Sequence, residues 1–291
     1  MVLRLPKRPF VQLPLDANLE EETNPGYRQD TWYNVRIGEI IKDRYQLCTK
    51  IGWGDTSTVW LANDLRNNRY RVRELDFLLH MKKLSSDHPG AQNIVTLLDH
   101  FRIHRKGLIY ICLVTDVLGP NLEQQVPTGL RRLDIDWIKE QLHRLLQAVD
   151  YLHTVAHVGH GDIWPPNVLC ALSDRQALRE LDELEAQQPS DRKIDGDRVI
   201  YVSRTVKLQS SHMPVLIDFG NSRLSTSAVE IEHLQSLCES VPMQQDEPYK
   251  PQRDFEWIGG MFIGIIEGKT LFKVVLTLPS RHLSKAIENE E

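Results

Sequence analysis

The chain has 291 residues and a net charge of −5, with 41% hydrophobic and 26% charged residues, which is the range of a globular protein of one large domain or two lobes. The negative balance argues against a dominant nucleic-acid-binding surface, although a local basic patch is compatible with it. The scattered cysteines (Cys48, Cys112, Cys170 and Cys238) exclude a zinc-type spacing and favour a reducing, intracellular compartment.

The first 36 residues are predicted to be an extended N-terminal arm. Residues 1–15 are basic, which is typical of a transit peptide, but three prolines oppose the amphipathic helix that such a peptide needs. Residues 16–36 are polar, acidic and rich in turn formers, and they are interpreted as a lead-in segment outside the folded elements.

Alternating and helical patterns then predict a strand-rich region. Residues 44–64 alternate apolar and polar positions on both sides of a Gly-x-Gly, which indicates two strands joined by a tight turn. A short amphipathic helix is expected over 73–84, followed by apolar strands at 94–103 and 108–118.

The second half is predicted to be mainly helical. A long helix is expected over 134–153, with Asp134 as its N-cap. Its buried stripe is expected to contain Trp137, Ile138, Leu142, Leu145, Leu146, Val149 and Leu152. The charged stretch 173–213 resembles a surface insertion, 215–220 has the character of a buried strand, and 257–266 is too short to span a membrane and is interpreted as a buried core helix.

A glycine-rich turn lies between the first two predicted strands. Gly52, Gly54 and Ser57 occupy the positions of a G-x-G-x-x-G pattern, with Val59 following. Between strands, this pattern is typical of the loop that covers nucleotide phosphates in kinases, where a Cβ would obstruct the approach of backbone amides to phosphate oxygens. An ordinary hairpin turn explains the pattern equally well.

Two further motifs follow in the order that phosphotransfer requires. In HGDIWPPN, Asp162 is a candidate for the group that accepts or orients a hydroxyl proton, and Asn167 for a metal ligand. A surface turn is the alternative, because Gly, Pro and Asn all favour turns. In DFG, Asp218 follows a buried strand and is a candidate ligand of Mg²⁺.

Taken with the residues around them, these motifs make the chain resemble the eukaryotic protein kinases and, within them, the SR-protein kinase family, especially its fungal members. The resemblance rests on EEETNPGY, VRIGEIIKDRYQL, IGWGDTSTVWLA, CLVTDVLGPNL and the long polar insert before VLIDFGNSR. It extends from about residue 18 to about residue 273.

The resemblance implies an α+β, two-lobed protein-kinase-like fold with a small β-rich N-lobe and a truncated helical C-lobe. The implied divisions are an arm at 1–36, an N-lobe at 37–118, a C-lobe at 119–273 that contains the insert at 173–213, and a tail at 274–291.

It further implies that ATP and Mg²⁺ are the cofactors and that Thr115 is the gatekeeper. Adenine is expected near Asp116 and Leu118, and Glu74 is the expected helix-C glutamate. Asp254 matches the aspartate that anchors the catalytic loop. For both residues a structural interpretation is equally compatible with the sequence: Glu74 as a solvated helix charge and Asp254 as a helix cap.

The implied function is transfer of the ATP γ-phosphoryl group to serine in Arg/Ser-rich, splicing-type proteins in the cytoplasm or nucleus, without direct binding to nucleic acid or membranes. The chain departs from the family pattern at several places. No lysine occurs between Asp64 and Glu74, where the ATP-binding strand is expected, and Arg71, Arg73 or Lys50 would have to substitute for it.

Trp164 replaces the catalytic-loop lysine, and its indole offers one neutral N–H donor in place of a charge. Gly161 stands where the family has an arginine that would pair with a phosphorylated residue of the activation loop. No Ala-Pro-Glu occurs in 221–253, and the sequence after EGKTLFK is short, which indicates internal and C-terminal deletions. A catalytically dead pseudokinase that acts as a binding or scaffold module is therefore the alternative function.

Overall fold

The computed structural model of the chain describes residues 9–29, 31–54, 57–64, 75–84, 86–105, 107–125, 134–172, 175–204, 213–224 and 249–267. These residues form two compact units. The first unit takes its described residues from Met1–Lys83, Val95–Pro120 and Ala171–Ser211. The second takes them from Leu84–Ile94, Asn121–Cys170 and His212–Glu291.

The first unit is built on two antiparallel sheets. One contains β1 (Ile40–Ile41), β2 (Tyr45–Trp53) and β3 (Thr58–Asp64), and the other contains β4 (Leu97–Arg105) and β5 (Leu108–Thr115). The predicted strand pair at 44–64 and the two later strands are therefore confirmed. Helix α1 (Asp76–Lys83) forms the described part of the helix predicted at 73–84, and β6 (Leu118–Asn121) follows β5.

Alternating side chains of these strands form one of the cores of the first unit. Tyr45 and Leu47 of β2 pack with Ala62 of β3 and Val114 of β5, and the ring of Tyr45 stacks on Phe101 of β4. Apolar side chains two residues apart point to the same face of a strand, which is why this alternation was visible in the sequence.

The interpretation of 173–213 as a surface insertion is wrong for its described part, 175–204. This part forms α4 (Arg175–Gln187) and the hairpin of β9 (Arg192–Asp195) and β10 (Arg198–Tyr201). Leu178 and Leu181 of α4 pack against Cys48 and Leu61 of the β2–β3 sheet. The two leucines are three residues apart and share one helix face, so a few apolar side chains are enough to dock a helix that is otherwise charged.

The insert consequently lies in the same compact unit as β2 and β3, whereas the sequence assigned it to the helical C-lobe. The other predicted domain boundaries stay predictions. The residues after 267 lie outside the described part of the chain, so the predicted truncation of the C-lobe and the tail at 274–291 also stay predictions.

The lead-in interpretation of 16–36 also needs correction. Glu20–Thr23 form a 3-10 helix, and Leu13, just before this segment, donates its backbone N–H to the carbonyl of Arg192 in β9 over 2.9 Å. Glu21 is only 4% exposed. Buried acidic groups need partners, and these come from distant residues that local composition does not reveal.

The second unit combines helices with short strands. Its elements are α2 (Leu122–Gln125), α3 (Ile135–Thr154), β7 (Val158–Gly159), β8 (Val168–Ala171), β11 (Pro214–Leu216), β12 (Arg223–Leu224) and α5 (Gln252–Glu267). Strand β8 pairs with β11, and β7 pairs with β12, both antiparallel. A β-rich unit and a mainly helical unit confirm the predicted α+β class.

Helix α3 begins as predicted, because the Asp134 carboxylate accepts the backbone N–H of Asp136 at 2.9 Å. Its buried stripe differs from the prediction at Leu146, which is 37% exposed, and at Trp137 and Leu142, which are only partly buried. Gln141, Ala148 and Tyr151 are buried in the same helix. The buried face thus follows tertiary contacts and includes polar and small residues that an apolar count omits.

Helix α5 is amphipathic and only half buried, so the prediction of a core helix at 257–266 is wrong in part. Ile258, Met261 and Phe262 are buried, whereas Ile263 and Ile266 are more than half exposed. Among the described helices, none is long and apolar enough to cross a membrane.

Candidate functional site

The loop between β7 and β8 is fixed by a buried histidine. The His160 ring accepts the backbone N–H of Asp162 at Nδ1 over 3.3 Å, so its Nε2 carries the proton and donates to the carbonyl of Ile217 at 3.0 Å. Burial lowers the pKa of His160 and keeps the ring neutral. The loop is therefore tied to the segment that follows β11.

Asp254 of α5 holds the backbone of the same loop. Its carboxylate is fully buried, with Oδ2 accepting the N–H of His160 and Oδ1 that of Gly161, both at 2.9 Å. The Nε2 atom of His153 lies 2.8 Å from Oδ2. Burial alone would raise the pKa of Asp254, but the donors around it, led by His153, outweigh burial and lower the pKa. The structure thus favours the loop-anchor interpretation over a helix cap.

Two side-chain amides hold the carboxylate of Asp162. Asn167 Nδ2 lies 3.0 Å from the Asp162 carbonyl and 3.3 Å from its Oδ2, and Asn221 Nδ2 lies 3.1 Å from the same Oδ2. Burial raises the pKa of Asp162, the two amides oppose that rise, and the nearby charge of Asp218 adds to it. Asn221 was not a predicted site residue, and the only signal for it is its position directly after DFG.

Asp218 has a strained backbone at the end of the buried strand. Its φ is 63°, a left-handed conformation that costs a non-glycine residue about 1 kcal/mol or more. Its Oδ1 accepts the backbone N–H of Gly220 at 3.1 Å, while Phe219 is buried with its ring 4.9 Å from that of His160. A strained acidic residue is typical of a functional site, because the surrounding structure has to maintain the strain.

The donor chemistry in this region fits Mg²⁺. No cluster of three or more His, Cys, Asp or Glu side chains suited to a metal occurs within the described ranges. Mg²⁺ does not need one, since it usually takes one or two carboxylates and completes its shell with water and phosphate oxygens. Asn167 directs its Nδ2 to Asp162, which leaves its amide oxygen, with the Asp218 carboxylate, as the oxygen donors for the ion.

The glycine turn belongs to the first unit. Gly52 pairs with Val59 across β2 and β3, and Gly54 donates its N–H to the carbonyl of Ser57 at 2.8 Å. Residues 55 and 56 lie outside the described part. A Cβ added at Gly52 would meet Val59 at an ordinary 3.5 Å, and one added at Gly54 would meet Ser57 at 4.0 Å, with no positive φ at either. Among the described residues, no neighbour requires glycine at these two positions, which fits a ligand-based reason.

The predicted adenine-binding segment also belongs to the first unit. Thr115 ends β5, is buried, and donates its Oγ1–H to the carbonyl of Asp116 at 3.1 Å. Asp116 is exposed and Leu118 is partly buried at the start of β6. Glu74, Arg71 and Arg73 lie outside the described residues, so their predicted roles stay predictions.

Lys50 cannot substitute for the missing strand lysine in this structure. Its side chain is fully buried, its Nζ lies 2.6 Å from Glu20 and also pairs with Glu21, and it donates to the carbonyl of Tyr201 at 3.0 Å. Three acceptors occupy the ammonium group inside the first unit. The hypothesis that Lys50 binds phosphates is therefore wrong for this conformation.

Trp164 lies in the catalytic loop of the second unit, directly before the 3-10 helix Pro165–Asn167. Its indole N–H is buried and has no hydrogen-bond partner among the residues that the structure describes. An unsatisfied buried N–H costs about 1–3 kcal/mol, so the described contacts do not explain this tryptophan.

The second unit therefore brings Asp162 together with Asn167 and Asp218, around a loop held by a buried aspartate on a helix. This arrangement matches what the resemblance to protein kinases implies, namely a helix aspartate that anchors an H-x-D loop beside an Asp-Phe-Gly turn.

Comparisons with known proteins identify the family. The chain is 32% identical over 231 residues to a serine/threonine protein kinase of Aspergillus fumigatus, covering 74% of this chain and 56% of that protein. It is 30% identical over 199 residues to SRSF protein kinase 3 of Mus musculus, covering 60% of this chain and 35% of that protein. With serine/threonine-protein kinase spk-1 of Caenorhabditis elegans it shares 29% identity over 184 residues, covering 58% of this chain and 18% of the relative.

No protein-family model matches the chain. The chain spans about half the length of the Aspergillus kinase and a smaller share of the two animal kinases. These matches place the chain in the SR-protein kinase family of serine/threonine protein kinases.

Proposed function

We propose that this chain is a serine/threonine protein kinase that transfers the γ-phosphoryl group of ATP, with Mg²⁺, to a serine hydroxyl of a protein. The observation that carries the proposal is the Asp162 carboxylate, which two amides hold within a loop anchored by Asp254. Phosphotransfer depends mainly on positioning and electrostatics, and this arrangement provides both.

Asp162 is the group that receives or orients the proton of the substrate hydroxyl. Both amide contacts fall on Oδ2, which leaves Oδ1 as the oxygen for the hydroxyl. A pKa raised by burial makes the carboxylate a better proton acceptor than a solvated aspartate. Mg²⁺, when bound by Asn167 and Asp218, would neutralise charge on the transferred group.

The nucleotide is assigned to the residues of the first unit that resemble the family pattern. Gly52, Gly54, Ser57 and Val59 would cover the phosphates, in line with glycines that none of their described neighbours requires. The backbone near Asp116 and Leu118 would receive adenine. Glu74 keeps its proposed role as the helix-C glutamate.

The proposed substrate is a serine in an Arg/Ser-rich, splicing-type protein. The support is the printed name of the murine relative, SRSF protein kinase 3. We further propose that the protein acts in the cytoplasm or nucleus, without direct contact with nucleic acid or membranes. The described cysteines, Cys48, Cys112 and Cys170, form no disulfide with one another, which fits a reducing compartment.

A catalytically dead scaffold is the second candidate, and two observations favour it. Lys50 is committed to acidic partners inside the first unit, and Trp164 supplies no charge where the family places a lysine. Losing one preorganised electrostatic contact costs on the order of 10²-fold in rate.

A phosphotransfer assay with labelled ATP separates the two candidates. We expect slow transfer to an Arg/Ser-repeat peptide, lower transfer to a matched Lys/Ser-repeat peptide, and none with D162A. W164K should raise the rate by about 10²-fold, because it restores a charge near the transferred phosphoryl group, whereas W164F should leave the rate within about twofold.

The full chain without any substitution serves as the reference, and a thermal shift with ATP reports binding independently of turnover. A thermal shift without transfer in either the reference or W164K would support the scaffold. Transfer that persists in D162A would contradict both candidates as stated.

A further inference from the structure

Asn221 contacts Asp162 although no motif predicted it. Its Nδ2 lies 3.1 Å from Asp162 Oδ2, a shorter contact to that oxygen than the 3.3 Å of Asn167. Asn167 makes its better hydrogen bond, at 3.0 Å, to the Asp162 carbonyl. Asn221 is therefore the closer amide to the carboxylate oxygen.

Gly161 allows this contact because it lets two backbone segments approach each other. Its φ is +76°, and a Cβ added there would meet the carbonyl oxygen of Asn221 at 2.8 Å. Any side chain at 161 would have to push the DFG-following segment away or strain the loop. The glycine that replaces the family arginine thus has a steric role in this chain.

The segment that carries Asn221 is fixed on both sides. Phe219 before it is buried against His160, and Ser222 after it donates its Oγ–H to the carbonyl of His160 at 3.2 Å. Strand β12 then pairs with β7 through Arg223 and Gly159. The backbone of Asn221 is therefore held in register with the catalytic loop.

We propose that Asn221 is a positioning residue that holds Asp162 Oδ2 and so presents Oδ1 to the substrate hydroxyl, and that Gly161 makes this contact possible. The proposal rests on the proposed function and names a further residue of that site. In this arrangement the loop is aligned by an amide from the DFG-following segment. This alignment of the loop does not need an arginine at position 161 that pairs with a phosphorylated side chain.

Kinetic constants test the positioning role. N221A should lower kcat by about 10- to 100-fold while KM for ATP and for the peptide stays within about twofold, because orientation affects the reacting geometry more than ground-state binding. N221D has the same shape but places a carboxylate against Asp162, so its kcat should fall further. N221Q, which keeps the amide, should recover part of the N221A loss.

S222A is the matched control, since the side-chain hydrogen bond of Ser222 in the described part of the chain goes to loop backbone. It should change kcat by no more than about twofold, which separates loss of the amide from general loosening of the segment. G161A should lower kcat as N221A does, and the double variant should be no worse than either single one, since both remove the same contact. Equal losses in S222A and N221A, or additive losses in the double variant, would overturn the proposal.

A measurement without turnover keeps this test separate from the proposed function. The side-chain amide resonances of Asn221, assigned by NMR through N221A, should shift on D162A but not on S222A. If the chain transfers no phosphate and these resonances still shift, the contact stands and only the proposed function fails. If they do not move on D162A, the proposal is wrong whatever the activity.

Discussion

The two units use their charged side chains in different ways. In the first unit, buried charges form ion pairs in addition to backbone contacts, as Lys50 does with Glu20 and Glu21. In the second, the buried charge of Asp254 is directed at backbone N–H groups of the catalytic loop. Side-chain pairs fasten distant segments to one another, whereas a backbone-directed carboxylate fixes the path of a loop.

The Glu185 cluster extends this contrast. Glu185 accepts from Ser190 and pairs with Arg192 and Arg204, so it joins α4 to β9 and to the segment after β10. Through Lys50 the N-terminal segment becomes part of the framework of the first unit, and through Glu185 the insert does. The second unit leaves Asp162 and Asp218 partly exposed, in and beside a loop whose backbone Asp254 holds, as the proposed reaction site requires.

The largest expected effect comes from removing the Asp254 carboxylate, which anchors the loop between β7 and β8. D254A removes a buried carboxylate and leaves the N–H groups of His160 and Gly161 without their acceptor. We expect the free energy of unfolding to fall by about 3–5 kcal/mol, measured by urea denaturation. D254N keeps one acceptor oxygen and should lose less.

The pH dependence of stability gives a second measure of the same anchor. The pKa of Asp254 is lowered in the folded state, so its contribution is present above the unfolded-state pKa and is lost as pH falls through the folded-state value. D254A should therefore lose less stability on acidification than the parent chain. Equal acid sensitivity in both would contradict an ionised anchor.

A somewhat smaller effect is expected from K50M in the first unit. It leaves the carboxylates of Glu20 and Glu21 without their cation, which should cost about 2–4 kcal/mol in urea denaturation. Adding Glu20→Gln and Glu21→Gln should recover part of the loss, because no buried charge then remains unpaired.

K139M is the control for this change, since the pair of Lys139 with Asp136 is exposed on both sides. It should alter stability by less than about 0.5 kcal/mol. ATP should raise the melting temperature of K50M by as much as it raises that of the parent chain. If ATP no longer raised the melting temperature of K50M, Lys50 would be assigned to phosphate binding, and its structural role in the first unit would be contradicted.

Apart from the control K139M, the smallest effect on stability is expected from D134A, which removes a helix cap and no loop contact. Its cost should be about 1 kcal/mol, with no change in any nucleotide-dependent signal. In the sequence, a helix cap of this kind was an alternative interpretation of Asp254. A loss in D254A no larger than that in D134A would restore the cap interpretation.

Several elements were predictable because their signals are local. The strands β2 and β3 follow from alternation, β4 and β5 from apolar runs, and the start of α3 from Asp134. The three motifs follow from residue types with a defined chemistry. Leu146 shows the limit of this approach: it has the right spacing for the buried stripe, but whether a helix face is covered depends on what packs there.

The sequence by itself determined the family through its resemblance to known kinases, and that resemblance implied the α+β class. It also supplied the candidates Asp162, Asn167 and Asp218, because motifs consist of neighbouring residues. Only the tertiary structure decided that Asp254 anchors the loop, that Lys50 is occupied, that 175–204 packs on β2, and that Asn221 reaches Asp162. Each of these contacts joins residues 29 or more positions apart, such as Lys50 with Glu21 and His160 with Asp254. Local patterns carry no information about such partners, because burial and pairing are set only when the chain has folded.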